Sequence, residues 1–272
     1  MKAAVCVIVK NENLYLDEWV SHYLDINKFD HIFIYDHNDP EGEHIKDYGE
    51  NVTVIDFRGH EKPCQHVAYE DCYKTYGEEY DWILFVDADE FLYIPETDND
   101  IHTFLEAEKF KHADIICLNW VHIHDGNRIL FENIPMKERF KDCELWDCEN
   151  NKHRKEIVRT GLGKIDYDCP HVPFIRENEQ SVLYVTPDGK KTSAVYADLN
   201  FEKYNKIIYL KHYNTKTIEE FLIKLSRGYP DQQGIPWKTL DKAFNYFFSL
   251  NEKTPEKLEY IRSFGINYNY ED

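Results

Sequence analysis

The chain has 272 residues, of which 51 are acidic and 32 are basic, so its formal net charge is −19. Nucleic-acid-binding proteins neutralise phosphates with Lys and Arg, and so acidic a surface excludes that class. Hydrophobic residues make up 42% of the chain and aromatic residues 15%, whereas disordered chains are poor in both. The composition therefore predicts a folded protein with no nucleic-acid partner.

The seven cysteines are odd in number and irregularly spaced, and several lie in apolar runs. This usage is typical of reduced, buried thiols in a cytoplasmic protein rather than of a disulfide framework. No segment approaches the length of about 18 apolar residues that a membrane-spanning helix needs. We therefore expect a cytoplasmic protein, and peripheral association with the inner face of a membrane stays open.

Predicted strands and helices alternate in the first half of the chain. Apolar runs predict strands over residues 3–9, 31–35, 52–57, 82–86 and 115–123, and helical spacing predicts helices over 16–26 and 65–76. Such alternation is typical of a mostly parallel sheet with helices on both faces. The last of these strands is the one expected to run antiparallel.

The second half is less regular. Residues 126–200 contain mixed charge and four prolines, which favours loops and short strands built onto the sheet. A strand is predicted over 207–210, a helix over 218–226, and a helical tail over 240–264 with a break near Thr254. We expect one domain over residues 1–228, with a C-terminal helical extension over 229–272 packed on it.

Polar residues follow three of the apolar strands. Asn11 comes after the first strand, Asp36 after the second, and Asp87 and Asp89 after the fourth. Parallel strands end at a common edge, which is where open α/β sheets bind ligands. Two carboxylates on one side of a chain repel each other unless a cation lies between them, and oxygen ligands suit Mn²⁺ or Mg²⁺. A turn or a helix cap is the alternative role for such Asn and Asp residues.

Several strings of residues together resemble glycosyltransferase family 92 (DUF23) and the related family-2-like group. The strings cover residues 10–12, 30–36, 65–72, 80–91 and 212–221, and the resemblance extends from about residue 3 to residue 228. It implies a GT-A fold, a nucleotide-diphosphate sugar donor, most often a UDP-sugar, and a divalent metal. It also implies transfer with inversion, with galactose or another hexose as the donor sugar.

The resemblance implies a metal site and a donor site. The metal, Mn²⁺ or Mg²⁺, would be held by Asp87, Asp89 and His212, for the last of which a strand-end histidine bonded to a carbonyl is the alternative. The implied donor-nucleotide contacts are Asn11, Glu12, Asp36, Gln65, Asp87, Lys216 and Lys224, with Arg227 as a further diphosphate contact. Solvated helix charges are the alternative for the basic residues.

Transfer with inversion needs a general base that takes the proton of the acceptor hydroxyl. Asp125 is the predicted base, with Glu149 and Glu156 behind it, although an Asp-Gly pair such as Asp125-Gly126 is also a common turn.

The predicted function is transfer of a sugar to a glycan or glycolipid hydroxyl, in lipopolysaccharide or surface polysaccharide synthesis. A nucleotidyltransferase acting on sugar phosphates is one alternative, but the loop after the first strand lacks the glycines that usually hold a triphosphate. A non-catalytic carbohydrate-binding protein of the same fold is the other alternative, and loss of the acidic motif would favour it.

Overall fold

The computed structural model describes residues 1–61, 64–169, 172–175, 182–192, 204–227, 240–266 and 268. Its strands are β1 (Ala3–Val9), β2 (His31–Asp36), β3 (Val52–Asp56), β4 (Trp82–Phe85), β5 (Glu90–Tyr93), β6 (Ile115–Ile123), β7 (Glu144–Leu145), β8 (Arg154–Arg159), β9 (Ile165–Cys169), β10 (Val172–Ile175), β11 (Tyr184–Val185) and β12 (Tyr209–His212). Its helices are α1 (Asn13–Ser21, continued by a π-helical turn, His22–Ile26), α2 (Cys64–Tyr76), α3 (Ile101–Leu105), α4 (Met136–Arg139), α5 (Ile218–Arg227), α6 (Leu240–Leu250) and α7 (Pro255–Ser263).

One large sheet forms the centre of the described part, with the strand order β3-β2-β1-β4-β8-β6-β12-β5. Neighbouring strands are parallel from β3 to β4 and again between β6 and β12. This arrangement confirms the predicted α/β architecture with a mostly parallel sheet. The expected antiparallel orientation of β6 is wrong. Strand β8 lies between β4 and β6 and is antiparallel to both, so β6 has the same direction as β4.

The central strand β1 explains why helices cover both faces of the sheet. All of its residues are buried, and successive side chains point to opposite faces. Val5 and Val7 pack in one cluster with Trp19 of α1, whereas Cys6 packs in a second cluster with Tyr69 of α2. A strand that is apolar on both sides is stable only between two layers.

Strand β8 lies in the region where loops and short strands built onto the sheet are predicted, but its charged sequence does not indicate a buried strand. Its sequence is Arg-Lys-Glu-Ile-Val-Arg, yet it lies in the middle of the sheet with five of its six residues buried. Arg154, Lys155 and Glu156 are each at most 1% exposed. Burial of these charges requires partners of opposite charge nearby, because an unpaired buried charge is strongly destabilising.

The C-terminal helices pack together in a separate apolar cluster. Phe221 of α5, Phe244 and Phe247 of α6, and Ile261 of α7 are fully buried in it. The tail is broken before α7, where the side chain of Thr254 accepts a hydrogen bond from the backbone of Lys257. Among the described residues, no helix has the length and apolar composition needed to cross a membrane.

Candidate active site

The carboxyl ends of β1, β2 and β4 lie at one edge of the sheet, because these strands pair in parallel. Glu12 follows β1, Asp36 ends β2, and Asp87 and Asp89 follow β4. Strand β5 begins directly after Asp89 and pairs with β12, which brings His212 to the same place. The topology thus gathers residues that are far apart in the sequence.

Asp89 is buried among basic side chains. Its Oδ2 accepts a hydrogen bond of 2.8 Å from Lys224 Nζ, and Lys216 Nζ lies 3.9 Å from the same oxygen. Its Oδ1 lies 3.4 Å from His212 Nε2, and the imidazole packs 4.3 Å from the ring of Trp120. Burial alone would raise the pKa of Asp89, but the facing lysines hold it well below its usual value. Burial lowers the pKa of His212, which favours the neutral imidazole.

Glu12 is the second buried carboxylate of the site. The guanidinium of Arg227 donates to its Oε1 and also, at 3.1 Å, to the carbonyl oxygen of Asn11. Lys216 Nζ lies 4.0 Å from Glu12 and 4.7 Å from the ring centre of Tyr15. Lys216 therefore stands between Glu12 and Asp89, and its positive backbone φ of 51° is a conformation that residues other than glycine rarely adopt.

Asp87 lies at the exposed side of the cluster, with a third of its side chain accessible. Its Oδ1 accepts hydrogen bonds from Gln65 (2.5 Å), from Lys155 (2.9 Å) and from the hydroxyl of Tyr69 (3.2 Å). Burial would lower the pKa of Lys155, but the facing carboxylates raise it above its ordinary value. Asp87 thus compensates the charge of Lys155, which is buried in β8.

The cluster brings acidic and basic side chains together at close range. Glu90 is fully buried, and burial raises its pKa well above the usual value, which favours the protonated carboxyl. The remaining charged groups are three carboxylates and four basic side chains, namely Glu12, Asp87, Asp89, Lys155, Lys216, Lys224 and Arg227. Four basic side chains gathered at one edge of so acidic a chain are suited to contact an anion.

The sequence profile of glycosyltransferase family 92 matches residues 2–165, more than half of the chain. The chain belongs to glycosyltransferase family 92. The matched region contains β1, the Asp-x-Asp turn and Lys155, so the acidic half of the site lies inside it. The basic residues on and before α5 lie beyond it.

A solved structure with similarity to this family 92 member is a glycosyltransferase involved in the glycosylation of the major capsid of PBCV-1. The two chains are 13% identical, with a TM-score of 0.27, and the match covers 58% of this chain. The chain spans about 60% of the length of that protein. No curated protein matches the chain significantly.

The distances between the predicted ligand atoms can be compared with those around a bound Mg²⁺ ion. Neighbouring ligands of an octahedral Mg²⁺ with bonds of about 2.1 Å lie about 3 Å apart, and the 3.4 Å between Asp89 Oδ1 and His212 Nε2 is close to this value. Water and donor phosphates commonly complete such a site. Asp87 is held apart by Lys155, and within the described ranges no three His, Cys, Asp or Glu side chains are grouped to bind a metal. Two of the three predicted ligands therefore lie side by side, and a metal ion bound by them stays a prediction.

Asn11 and Asp36 lie at the predicted edge, but their polar atoms are engaged by the loop after β2. Both carboxylate oxygens of Asp36 accept backbone N–H groups, those of Asn38 at 3.0 Å and Ile45 at 3.3 Å. The side chain of Asn11 donates to the carboxylate of Asp39 and accepts a hydrogen bond from the backbone N–H of Asp39. Both residues therefore shape the loop at this edge of the sheet, and a nucleotide contact by either stays a prediction.

The predicted bases Asp125 and Glu149 have different surroundings. Asp125 is fully buried, with Oδ2 2.5 Å from Lys257 Nζ and Oδ1 bonded to the backbone of Asn127. This environment argues against the predicted base, because neither oxygen is accessible to an acceptor hydroxyl. Glu149 is 88% exposed and lies 3.2 Å from Lys152. Glu149 stays a prediction.

Sequence reasoning missed three residues of the cluster. Lys155 and Tyr69 bind Asp87, and Asn214 accepts two hydrogen bonds from Lys224, at its backbone oxygen (3.0 Å) and at its Oδ1 (2.6 Å). The only local signal for Lys155 is the Ile157–Val158 pair that follows it, which is too short to predict a strand.

Proposed function

We propose that this chain transfers a hexose from a UDP-sugar to a hydroxyl group of a glycan or glycolipid, with inversion at the anomeric carbon. The observation that carries the proposal is the buried cluster of Asp89, His212, Lys216 and Lys224 at the carboxyl edge of the sheet. Family membership favours this reaction over the nucleotidyltransferase alternative. Synthesis of lipopolysaccharide or another surface polysaccharide is the proposed setting.

The basic side chains have the main role toward the donor. Lys216 and Lys224 both face Oδ2 of Asp89, and Arg227 follows on the same helix as Lys224. Preorganised cations next to a leaving diphosphate stabilise the negative charge that develops as the glycosidic bond breaks. Glu12 and Asp89 hold these cations in position before the donor arrives.

The proposed metal is Mn²⁺ or Mg²⁺, with Asp89 and His212 as its protein ligands. Such an ion, when bound, supplies further charge stabilisation for the leaving group. Trp120 packs against the imidazole of His212, and Lys155 keeps Asp87 at the rim of the site. Glu149 is the proposed base for the acceptor hydroxyl.

A thermal-shift screen tests the proposal. UDP, GDP and CMP, each with and without its sugar, are added to the protein with Mn²⁺, and the melting temperature Tm is measured. A ligand that binds only the native state raises Tm, so we expect one nucleotide class, UDP, to give the increase. Asp89→Asn should abolish this increase, and the exposed control Glu259→Gln should retain it. The absence of an increase with every nucleotide would contradict the proposal.

A further inference from the structure

A cleft of about 660 Å³ lies between β7 with the turn that follows it, residues 144–150, and the end of α6 at Ser249. Its volume is in the range of natural ligand sites. Its lining includes Glu144, Trp146, Asp147, Glu149 and Asn150 on one side and Ser249 of α6 on the other.

The first wall of the cleft is tied by hydrogen bonds to His122, whose ring lies beside that of His212. The side chain of Asn151 donates to the carbonyl oxygens of Leu145 (2.6 Å) and Trp146 (3.3 Å). The Oδ1 of Asn151 accepts from the backbone of His122 and lies 2.9 Å from its Nδ1. The ring of His122 lies 5.2 Å from that of His212. One buried amide thus connects the cleft wall to the proposed metal ligand.

The second wall has its own connection to the cluster. The hydroxyl of Ser249 donates to the carbonyl oxygen of Tyr246. The side-chain hydroxyl of Tyr246 accepts a hydrogen bond of 2.6 Å from the side chain of Asn214. Asn214 in turn accepts two hydrogen bonds from Lys224, the partner of Asp89. Both walls are therefore connected, through a few intermediate side chains, to residues of the proposed donor site.

The chemistry of the lining suits a sugar. Trp146 is 38% exposed, and its indole is held by an edge contact with Tyr209. A partly exposed aromatic ring offers an apolar face for the C–H side of a pyranose. Asp147 and Glu149 are exposed carboxylates, which accept hydrogen bonds from hydroxyl groups.

The charge of the lining decides between classes of sugar. Among the described residues that line the cleft none is basic, and three are acidic. The carboxylate of Glu144 is paired with Lys211 and that of Glu149 with Lys152, and Asp147 is exposed. Like charges repel, so a phosphorylated or carboxylated sugar is disfavoured. We propose that this cleft binds a neutral sugar unit of the acceptor glycan, an inference that rests on the proposed function.

The test is saturation-transfer NMR on the full chain with UDP and Mn²⁺ present. The probes are the methyl β-glycosides of galactose, glucose, N-acetylglucosamine and mannose, with methyl β-glucuronide as the charged comparison. The variants are Trp146→Ala, Trp146→Phe and the control Phe264→Ala, which removes a more exposed aromatic ring outside the cleft lining. The rise in Tm with UDP is measured for each variant as a check of the donor site.

We expect at least one neutral glycoside to show saturation transfer and the glucuronide to show little. Trp146→Ala should weaken binding of that glycoside about tenfold, in keeping with an aromatic contact of about 1.4 kcal/mol. Trp146→Phe should restore most of the signal, and Phe264→Ala should match the wild type.

Two outcomes would overturn the inference. One is UDP binding without a signal from any neutral glycoside, and the other is an unchanged signal in Trp146→Ala. If UDP fails to raise Tm in the wild type, the proposed donor is wrong. Glycoside binding that depends on Trp146 would then still identify the cleft as a sugar site. The failures of the two proposals are therefore distinguishable.

Discussion

Lys224 and Asp89 are 135 positions apart in the sequence, and their side chains form a buried ion pair with 2.8 Å between Nζ and Oδ2. The pair fixes α5 on the Asp-x-Asp turn. Both partners are needed for this, because removal of one leaves an uncompensated charge in a buried place.

A double-mutant cycle tests this coupling. Asp89→Asn and Lys224→Met should each lower the free energy of unfolding by about 3–5 kcal/mol. The double variant should lose less than the sum, with a coupling energy of about 0.5–3 kcal/mol, because neither charge is then left alone. Urea unfolding measures all three, with Glu259→Gln as the exposed control. Additive losses would show that the two residues do not interact.

Variants of the three predicted metal ligands should differ in their binding of Mn²⁺. We expect Asp89→Asn and His212→Gln to lose Mn²⁺ binding in the presence of UDP, because their ligand atoms face each other at 3.4 Å. Asp87→Asn should retain Mn²⁺ binding, because Lys155 and Gln65 hold the Asp87 carboxylate apart. Electron paramagnetic resonance of Mn²⁺ measures the bound fraction, and EDTA serves as the metal-free control. Equal loss in all three variants would restore the three-residue site predicted from the sequence.

His22 makes stability depend on pH. Burial and the charges of Lys137 and Lys211 lower its pKa from 6.5 to about 3, while its Nε2 lies 2.7 Å from the carbonyl oxygen of Leu92. Folding therefore favours the neutral ring. This contribution is complete above pH 6.5 and is lost as the pH falls from 6.5 toward 3. Between pH 7 and pH 5 the loss is about 2 kcal/mol.

Replacement of His22 by Gln should remove that part of the pH dependence. Urea unfolding at pH 7 and pH 5 gives the difference in the free energy of unfolding, which we expect to shrink by about 2 kcal/mol in His22→Gln. The exposed His112→Gln is the matched control. An unchanged difference in His22→Gln would contradict the buried neutral state of His22.

Arg139 and Glu220 form a buried bidentate pair, with both N–H···O distances at 2.9 Å. Arg139→Met should lower the free energy of unfolding by about 3–5 kcal/mol. Arg139→Lys should recover little of this loss, because an ammonium group lacks the planar fork that binds both oxygens. The exposed Arg262→Met is the control, for which we expect a change within about 0.5 kcal/mol. Full recovery by Lys would mean that charge alone holds α5.

The first half of the fold could be predicted because its signals are local. The apolar run of β1 and the helical spacing around Trp19 are properties of short segments, and the structure has both elements where they were predicted. The direction of β6 could not be predicted in this way, because it depends on β8, which pairs with it from a distant part of the chain.

The sequence by itself determined the strand-end residues of the site. Asp87 and Asp89 follow an apolar strand, and parallel strands end together, so the location of these carboxylates follows from pattern and topology. Which of them binds which partner was decided only by the tertiary structure. Lys155 is charged and stands in a charged string, which predicts exposure. It is buried because Asp87, brought from 68 positions away, compensates its charge. Burial of a charge depends on a partner in space, and no local pattern contains that information.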